Sequence, residues 1–276
     1  MADHGLATEP FPQPPSIHEL VADRTISVLG VKITDVTLRR AVELIESAIH
    51  RYDGRTRNVF FVNAHTLNLA AADPSFRRVL DTADYVFGDG TGVRWAARLK
   101  GIRVRDNLVG TDLVPELFRT TAGRGYRYYL LGADPETIRQ AAAYAEEQFP
   151  GWVQAGYHHG YLMSEELNRK VVRQINRARP DVLMVGMGNP LQERWLHDHQ
   201  AELQVPVCMG LGGIFGYWAG GLRRSPLWLR RLGAEWIGIL LQQPRKVRRY
   251  LLGNPLFLWR ALRDKFRENP LQWPTA

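Results

Sequence analysis

The chain has 276 residues, 45% of them hydrophobic, enough to bury the core of one large domain or of one domain with an appendage. A single cysteine, Cys208, excludes a disulfide framework or a cysteine-rich zinc site and agrees with a reducing compartment. The net charge of +8 is local: residues 222–267 carry twelve Lys or Arg against Glu235 and Asp264, so the remainder is slightly acidic.

Residues 1–24 hold acidic side chains and four prolines where a secretory signal needs a basic start and an apolar run, and are expected to form a flexible cytoplasmic leader. Thr25 to Thr34 alternates as a strand or hairpin. Thr37 can cap a helix through LRRAVELIESAIHRY, whose apolar residues fall at helical spacing. Asn58 to Val62 reads as a buried strand ending in Asn63-Ala64-His65, with a helix after it through Leu67 and Leu69. Tyr85 to Phe87 is a short strand that breaks into Gly88-Asp89-Gly90, and a helix starts near Thr91. A loop with Arg103, Arg105 and Asn107 leads to Gly110-Thr111-Asp112, read as the cap of the next helix.

The rhythm then repeats. Tyr126 to Leu131 is a strand, Asp134 caps a helix with Pro135 in its first position, and that helix runs to about Phe149. A strand around Trp152 to Tyr157 leads through His158-His159-Gly160-Tyr161 to a helix capped by Ser164. Asp181 to Val185 is a strand ending in Gly186-Met187-Gly188-Asn189-Pro190, followed by a helix through Trp195. Val205 to Leu222 carries no charge and approaches the length of a membrane span, but six glycines and a proline assign it to the sheet interior, with Val205 to Met209 as the last strand. Alternation at this spacing predicts an α/β fold: a Rossmann-like, mainly parallel sheet flanked by helices over residues 25–221. From Pro226 onward Trp228, Trp236 and Trp259 interleave with leucines and arginines, broken at Pro244 and at Gly253-Asn254-Pro255. Residues 222–276 are therefore expected to form a basic appendage of two or three amphipathic helices, suited to an anionic membrane surface or, alternatively, to packing with a solvated basic face.

Asn63, Asp89, Gly132, Gly188, Asn189 and Gly213 all follow strand ends, so a parallel sheet would gather them along one edge. Helix amino termini opening there suit a phosphate or diphosphate. Asp89 can act as a base in such a cleft, or simply cap the helix behind it. No standard fingerprint is present: the Gly186-Met187-Gly188 turn has Leu191 where a dinucleotide motif needs a glycine, and there is no GxxxxGK[ST], HExxH, CxxC or paired Asp-x-Asp. His158 and His159 are read as loop residues rather than ligands, and nothing in the sequence calls for a metal or another cofactor.

The blocks FGDGTG (87–92), VGTDL (109–113), LLGADPE (130–136), PDVLMVGMGNPLQERW (180–195), MGLGGIFGYWAGGLRRSPLW (209–228) and GAEW…QQPRKVRRYLLGNPLF (233–257) together resemble the bacterial WecG/TagA/CpsF glycosyltransferases, in order, from about Thr25 to about Leu262. The resemblance implies an inverting, metal-independent transfer of a sugar from a UDP-sugar to a polyprenyl-diphosphate-linked saccharide in cell-surface polysaccharide synthesis, by a peripheral protein on the cytoplasmic face of the membrane. It also suggests self-association. Asp89 matches the family's proposed base and Gln192 a polar residue of its substrate pocket. Asn63, His65, Gly88, Gly90, Asn107, Gly132, Gly188, Asn189 and Gly213 are expected to surround the substrate. The family's tail is thought to close over the site and bring arginines to the diphosphate, which makes Arg223, Arg224, Arg230 and Arg231 candidates. Two positions depart from the pattern: Phe61 stands for a common threonine and Gly216 for a common aspartate. A nucleic-acid binder, suggested by the basic tail, and a nicotinamide-dependent oxidoreductase are the alternatives; DNA binding with a steep salt slope, or NAD binding in place of UDP, would distinguish them.

Overall fold

The structure, a computed structural model, describes residues 23–226, 228–229, 234–265 and 271–272. The chain opens with a hairpin of β1 (Arg24–Val28) and β2 (Val31–Asp35), paired antiparallel from Arg24 opposite Asp35 to Val28 opposite Val31. Helix α1 (Leu38–His50) follows; Thr37 caps it by accepting the Arg40 N–H.

The main sheet then begins. Strands β3 (Arg57–Val62), β4 (Tyr85–Gly88), β5 (Arg127–Gly132), β6 (Val153–His158), β7 (Val182–Gly186) and β8 (Val207–Gly210) pair in the order β4-β3-β8-β7-β5-β6, every pair parallel. Their near-continuous apolar sequences follow from burial on both faces. Val59 and Phe61 face one core layer while Phe60 and Val62 face the other; Tyr128 and Leu130 alternate with Tyr129 and Leu131 in the same way.

The helices between these strands are α2 (Ala64–Ala72), α3 (Pro74–Asp81), α4 (Thr91–Leu99), α5 (Gly110–Thr120), α6 (Pro135–Gln148), α7 (Glu165–Ala178) and α8 (Leu191–His199). The sequence reading passed over α3, although Asp73 caps it through the Ser75 and Phe76 N–H groups and Pro74 occupies its first turn. After β8 come α9 (Ile214–Trp218), α10 (Glu235–Gln242), a 3-10 turn at Pro244–Lys246, α11 (Val247–Leu251) and α12 (Gly253–Lys265). The break expected at Gly253-Asn254-Pro255 falls at Leu252, between α11 and α12, and the three residues form the first turn of α12.

The last of these helices is built into the fold. Phe257 and Ala261 of α12 are buried with the apolar residues of α2 and α4. A side chain at Gly92 would meet Phe257 at 3.4 Å and Ala64 at 2.9 Å, so the glycine permits this approach. Buried Lys100 pairs with Asp264 at 2.6 Å, and the same carboxylate oxygen accepts the Leu29 N–H at 2.7 Å. Arg260 donates to the carbonyl and side-chain oxygens of Asn68, each at 2.9 Å. Strand β9 (Leu271–Gln272) then adds to β1 and completes a three-stranded antiparallel sheet. Helix α12 thus packs on the sheet domain, while the first 22 residues of the expected leader lie outside the described residues.

Candidate active site

All six parallel strands end on one side, and a cavity of about 1010 Å³ opens there. The chain leaves β3 toward one edge and β5 toward the other, so the crevice lies over the strand ends between them. The helices of the C-terminal segment form the opposite wall through Glu235, Trp236, Arg245, Lys246, Arg249 and Tyr250.

Asp89 lies in this cavity directly after β4, its N–H bonded to the Val62 carbonyl at 2.8 Å. It does not cap α4: the N-cap is Gly90, which makes no side-chain capping bond and has a φ of 89° that favours glycine. Asn107 holds this turn by accepting the Gly90 N–H at 2.7 Å. Asn63, after β3, accepts the His65 and Thr66 N–H groups through Oδ1 at 3.1 and 3.2 Å. Its amide nitrogen is left to donate to Asp89, a carboxylate being only an acceptor. Burial pushes the Asp89 carboxyl up to about 6, reinforced by the charge of Glu235; the Asn63 hydrogen bond and Arg249 pull the other way.

A group of cations lines the same cavity. Arg245, Lys246 and Arg249, on the 3-10 turn and α11, all line the cavity. Burial and the two neighbouring guanidinium groups push Lys246 down to about 8. His65 is pushed down to about 4, first by burial and then by Arg249 and Lys246, and is therefore neutral at pH 7. Arg249 reaches the Asn63 side-chain oxygen at 3.4 Å, but its buried Nε has no hydrogen-bond partner. An unpartnered buried donor on Arg249 beside two further cations is chemically suited to an anion.

The third wall is made from the turns after β7 and β8. Gln192 of α8 is buried, and its Oε1 accepts the N–H of Gly188 at 3.1 Å and of Gly212 at 2.9 Å, tying the two turns together. Its Nε2 donates to Glu193 at 2.8 Å, and Asn189 donates to the same carboxylate oxygen.

Among the residues singled out from sequence, Asn63, His65, Asp89, Gly90, Asn107, Gly188, Asn189, Gln192, Gly213 and Arg224 line the cavity. Gly88 and Gly132 do not. They are spacing residues: a Cβ at Gly88 would meet Val93 at 2.9 Å, and one at Gly132, where φ is 148°, would meet the Gly186 carbonyl oxygen at 2.3 Å. Arg223 also lies off the lining, its N–H bonded to Gln242. Arg224 is engaged already: both of its terminal nitrogens bond the Asp112 carboxylate, and Glu235 lies 3.7 Å from its Nε. Asp112, expected in a cap, sits in the first turn of α5, whose N-cap is Val109. Arg230 and Arg231 lie outside the described residues. Both departures from the family pattern line the cavity. Phe61 packs edge-on against Phe87 at 5.7 Å, and Leu222 occupies the space beside Gly216 that a side chain would need.

Sequence reasoning missed Glu193, Glu235, Arg245, Lys246 and Arg249. The signal for the last three was present in Pro244-Arg245-Lys246-Val247-Arg248-Arg249, where a proline-initiated turn running into a helix puts positions three and four apart on one side. Among the described residues no group of three or more His, Cys, Asp or Glu is placed to hold a metal ion.

A model of the glycosyl transferase WecG/TagA/CpsF family matches residues 26–270. Two relatives from Staphylococcus aureus, strains MW2 and MRSA252, are 29% and 31% identical over 242 residues, which is 87% of this chain and 93% of each relative. Each is named N-acetylglucosaminyldiphosphoundecaprenol N-acetyl-beta-D-mannosaminyltransferase.

Proposed function

The chain belongs to the WecG/TagA/CpsF family of glycosyltransferases, and from that premise we propose that it moves a sugar from a UDP-sugar to a polyprenyl-diphosphate-linked saccharide by direct, inverting displacement. The observation that carries this reading is the arrangement of the cavity: one raised carboxyl, Asp89, shares it with Arg245, Lys246 and Arg249. In the reaction, Asp89 takes the proton of the acceptor hydroxyl while that oxygen forms its bond to the anomeric carbon. The bond from the anomeric carbon to the diphosphate oxygen breaks on the opposite face, and UDP leaves with its added charge neutralised by these cations. They supply the role a divalent cation would otherwise play, which supports metal independence. Asn63 orients the base, and neutral His65 adds no charge to compete with it.

The names of the relatives supply the first acceptor to try, a diphosphate-linked N-acetylglucosamine on a polyprenyl chain, and N-acetylmannosamine as the first sugar. Such an acceptor lies in a membrane, and the reading places their meeting at its cytoplasmic face. No helix among the described residues is long and apolar enough to cross a membrane. The basic C-terminal segment, close to the cavity and rich in exposed apolar side chains, is suited to that contact. UDP release from a panel of UDP-sugars, with the lipid-linked acceptor and with EDTA in a parallel arm, tests the reading. Release that depends on both substrates and survives EDTA is expected; no release with any UDP-sugar refutes it.

A further inference from the structure

Glu193 is a fully buried carboxylate on the first turn of α8, next to the cavity-lining Gln192 and not itself on the lining. Its Oε1 accepts hydrogen bonds from the side-chain amides of both Asn189 and Gln192, whereas its Oε2 is buried without a partner. A carboxylate in that position is costly, since burial disfavours its charge and pushes it up to about 7. A hydrocarbon side chain would fill the same space at less cost, so the carboxylate needs another explanation.

The explanation lies in what it dictates. A side-chain amide has a donor end and an acceptor end, and Gln192 must present its oxygen to the Gly188 and Gly212 N–H groups to join the turns after β7 and β8. An acceptor-only oxygen on the other side of that amide fixes this orientation. The same oxygen draws the nitrogen of Asn189 inward, so the oxygen of Asn189 is the end left for the cavity that this residue lines. Gly210 leaves room for the arrangement, because a Cβ there would stand 3.2 Å from Gln192 Nε2. We propose that Glu193 is a positioning residue for the donor: its carboxylate fixes the amides of Asn189 and Gln192, and through them the two glycine turns, in the form that receives the nucleotide sugar. This rests on the donor reading given above.

The test compares wild type with Glu193→Met, which fills the volume without an acceptor, and Glu193→Gln, which keeps one. Calorimetric titration with UDP, donor KM and kcat, and thermal unfolding are measured on each full-length protein. Glu193→Met is expected to weaken UDP binding and raise donor KM at least tenfold, with kcat within threefold and no fall in Tm; Glu193→Gln should recover most of the binding. Should Glu193→Met fail to fold, Asn189→Ala removes the same contact from the cavity side and should show the same loss. UDP binding by Glu193→Met equal to wild type overturns the inference, as does an equal loss in both variants accompanied by a lower Tm, which would mark a packing role. Wild-type protein that does not bind UDP at all overturns the donor reading and this inference with it.

Discussion

Asp89 shows how one residue carries opposite demands. Burial raises its folded pKa to about 6, above that of the unfolded chain, so it favours folding at low pH and that contribution is lost as pH rises through about 6. As the base of the proposed transfer it would have to be ionised, in the same pH range where it is least favourable to the fold. Asp89→Asn is accordingly expected to lose about a hundred- to ten-thousandfold in transfer rate while gaining up to about 3 kcal/mol of stability at pH 8, read by UDP release and chemical denaturation. In wild type, kcat/KM should climb with pH and level off above about 6; a flat profile between pH 5 and 7 would mean that another group takes the proton. Asp89 was legible in sequence because glycines on both sides of a carboxylate at a strand end are unusual. Asn63 was legible too, at the end of the neighbouring strand; the charged partners were not, because Glu235 and Arg249 come from a segment whose return across the cavity is a tertiary event with no local pattern.

Among elements, the outer helices separate what periodicity can show from what it cannot. The strands were legible as short apolar runs, and the caps at Thr37, Asp134 and Ser164 stand where the sequence put them. Helix α3 was missed since eight residues hold too few turns for a period, although Asp73-Pro74 is a start signal. Helix α12 reads as a basic amphipathic helix, and nothing local says that Phe257 and Ala261 enter the core or that Asp264 meets Lys100. That pairing makes two predictions. Phe257→Ala should cost about 3–5 kcal/mol, the usual range for emptying a buried aromatic site. Asp264→Ala leaves Lys100, whose side chain is 2% exposed, without its charge partner and should cost a similar amount, about 3–5 kcal/mol. Denaturant midpoints check both, and a loss below about 1 kcal/mol in either would mean that α12 is held loosely. A truncation after residue 221, which the sequence alone suggests would leave an intact α/β domain, removes these core residues and is expected to destabilise it.

At the scale of the molecule, the exposed apolar surface is unevenly shared. Leu241, Leu251, Leu252 and Trp259 are 78%, 58%, 69% and 53% exposed, and all belong to α10, α11, α12 and the residue linking the last two. Exposed Arg248 and Arg263 come from the same stretch. Exposed leucines of this kind are disfavoured in water unless something covers them, and a surface of anionic lipid headgroups over acyl chains would meet both the leucines and the cations. The cavity wall is made from these helices, so lipid contact would bring a membrane-held acceptor to Asp89. Each apolar side chain taken from water contributes about 1.5–3 kcal/mol at full burial, and each cation near the surface about 1 kcal/mol. Substituting Leu241, Leu251 and Leu252 together by serine should therefore lower binding to anionic liposomes at least tenfold at low salt, and raising the salt should weaken the wild type as well. UDP binding should persist in the triple variant, because none of the three residues lines the cavity. Flotation of the triple variant equal to wild type would mean that the leucines are covered by something other than lipid, a second copy of the chain being the alternative that sedimentation would then reveal.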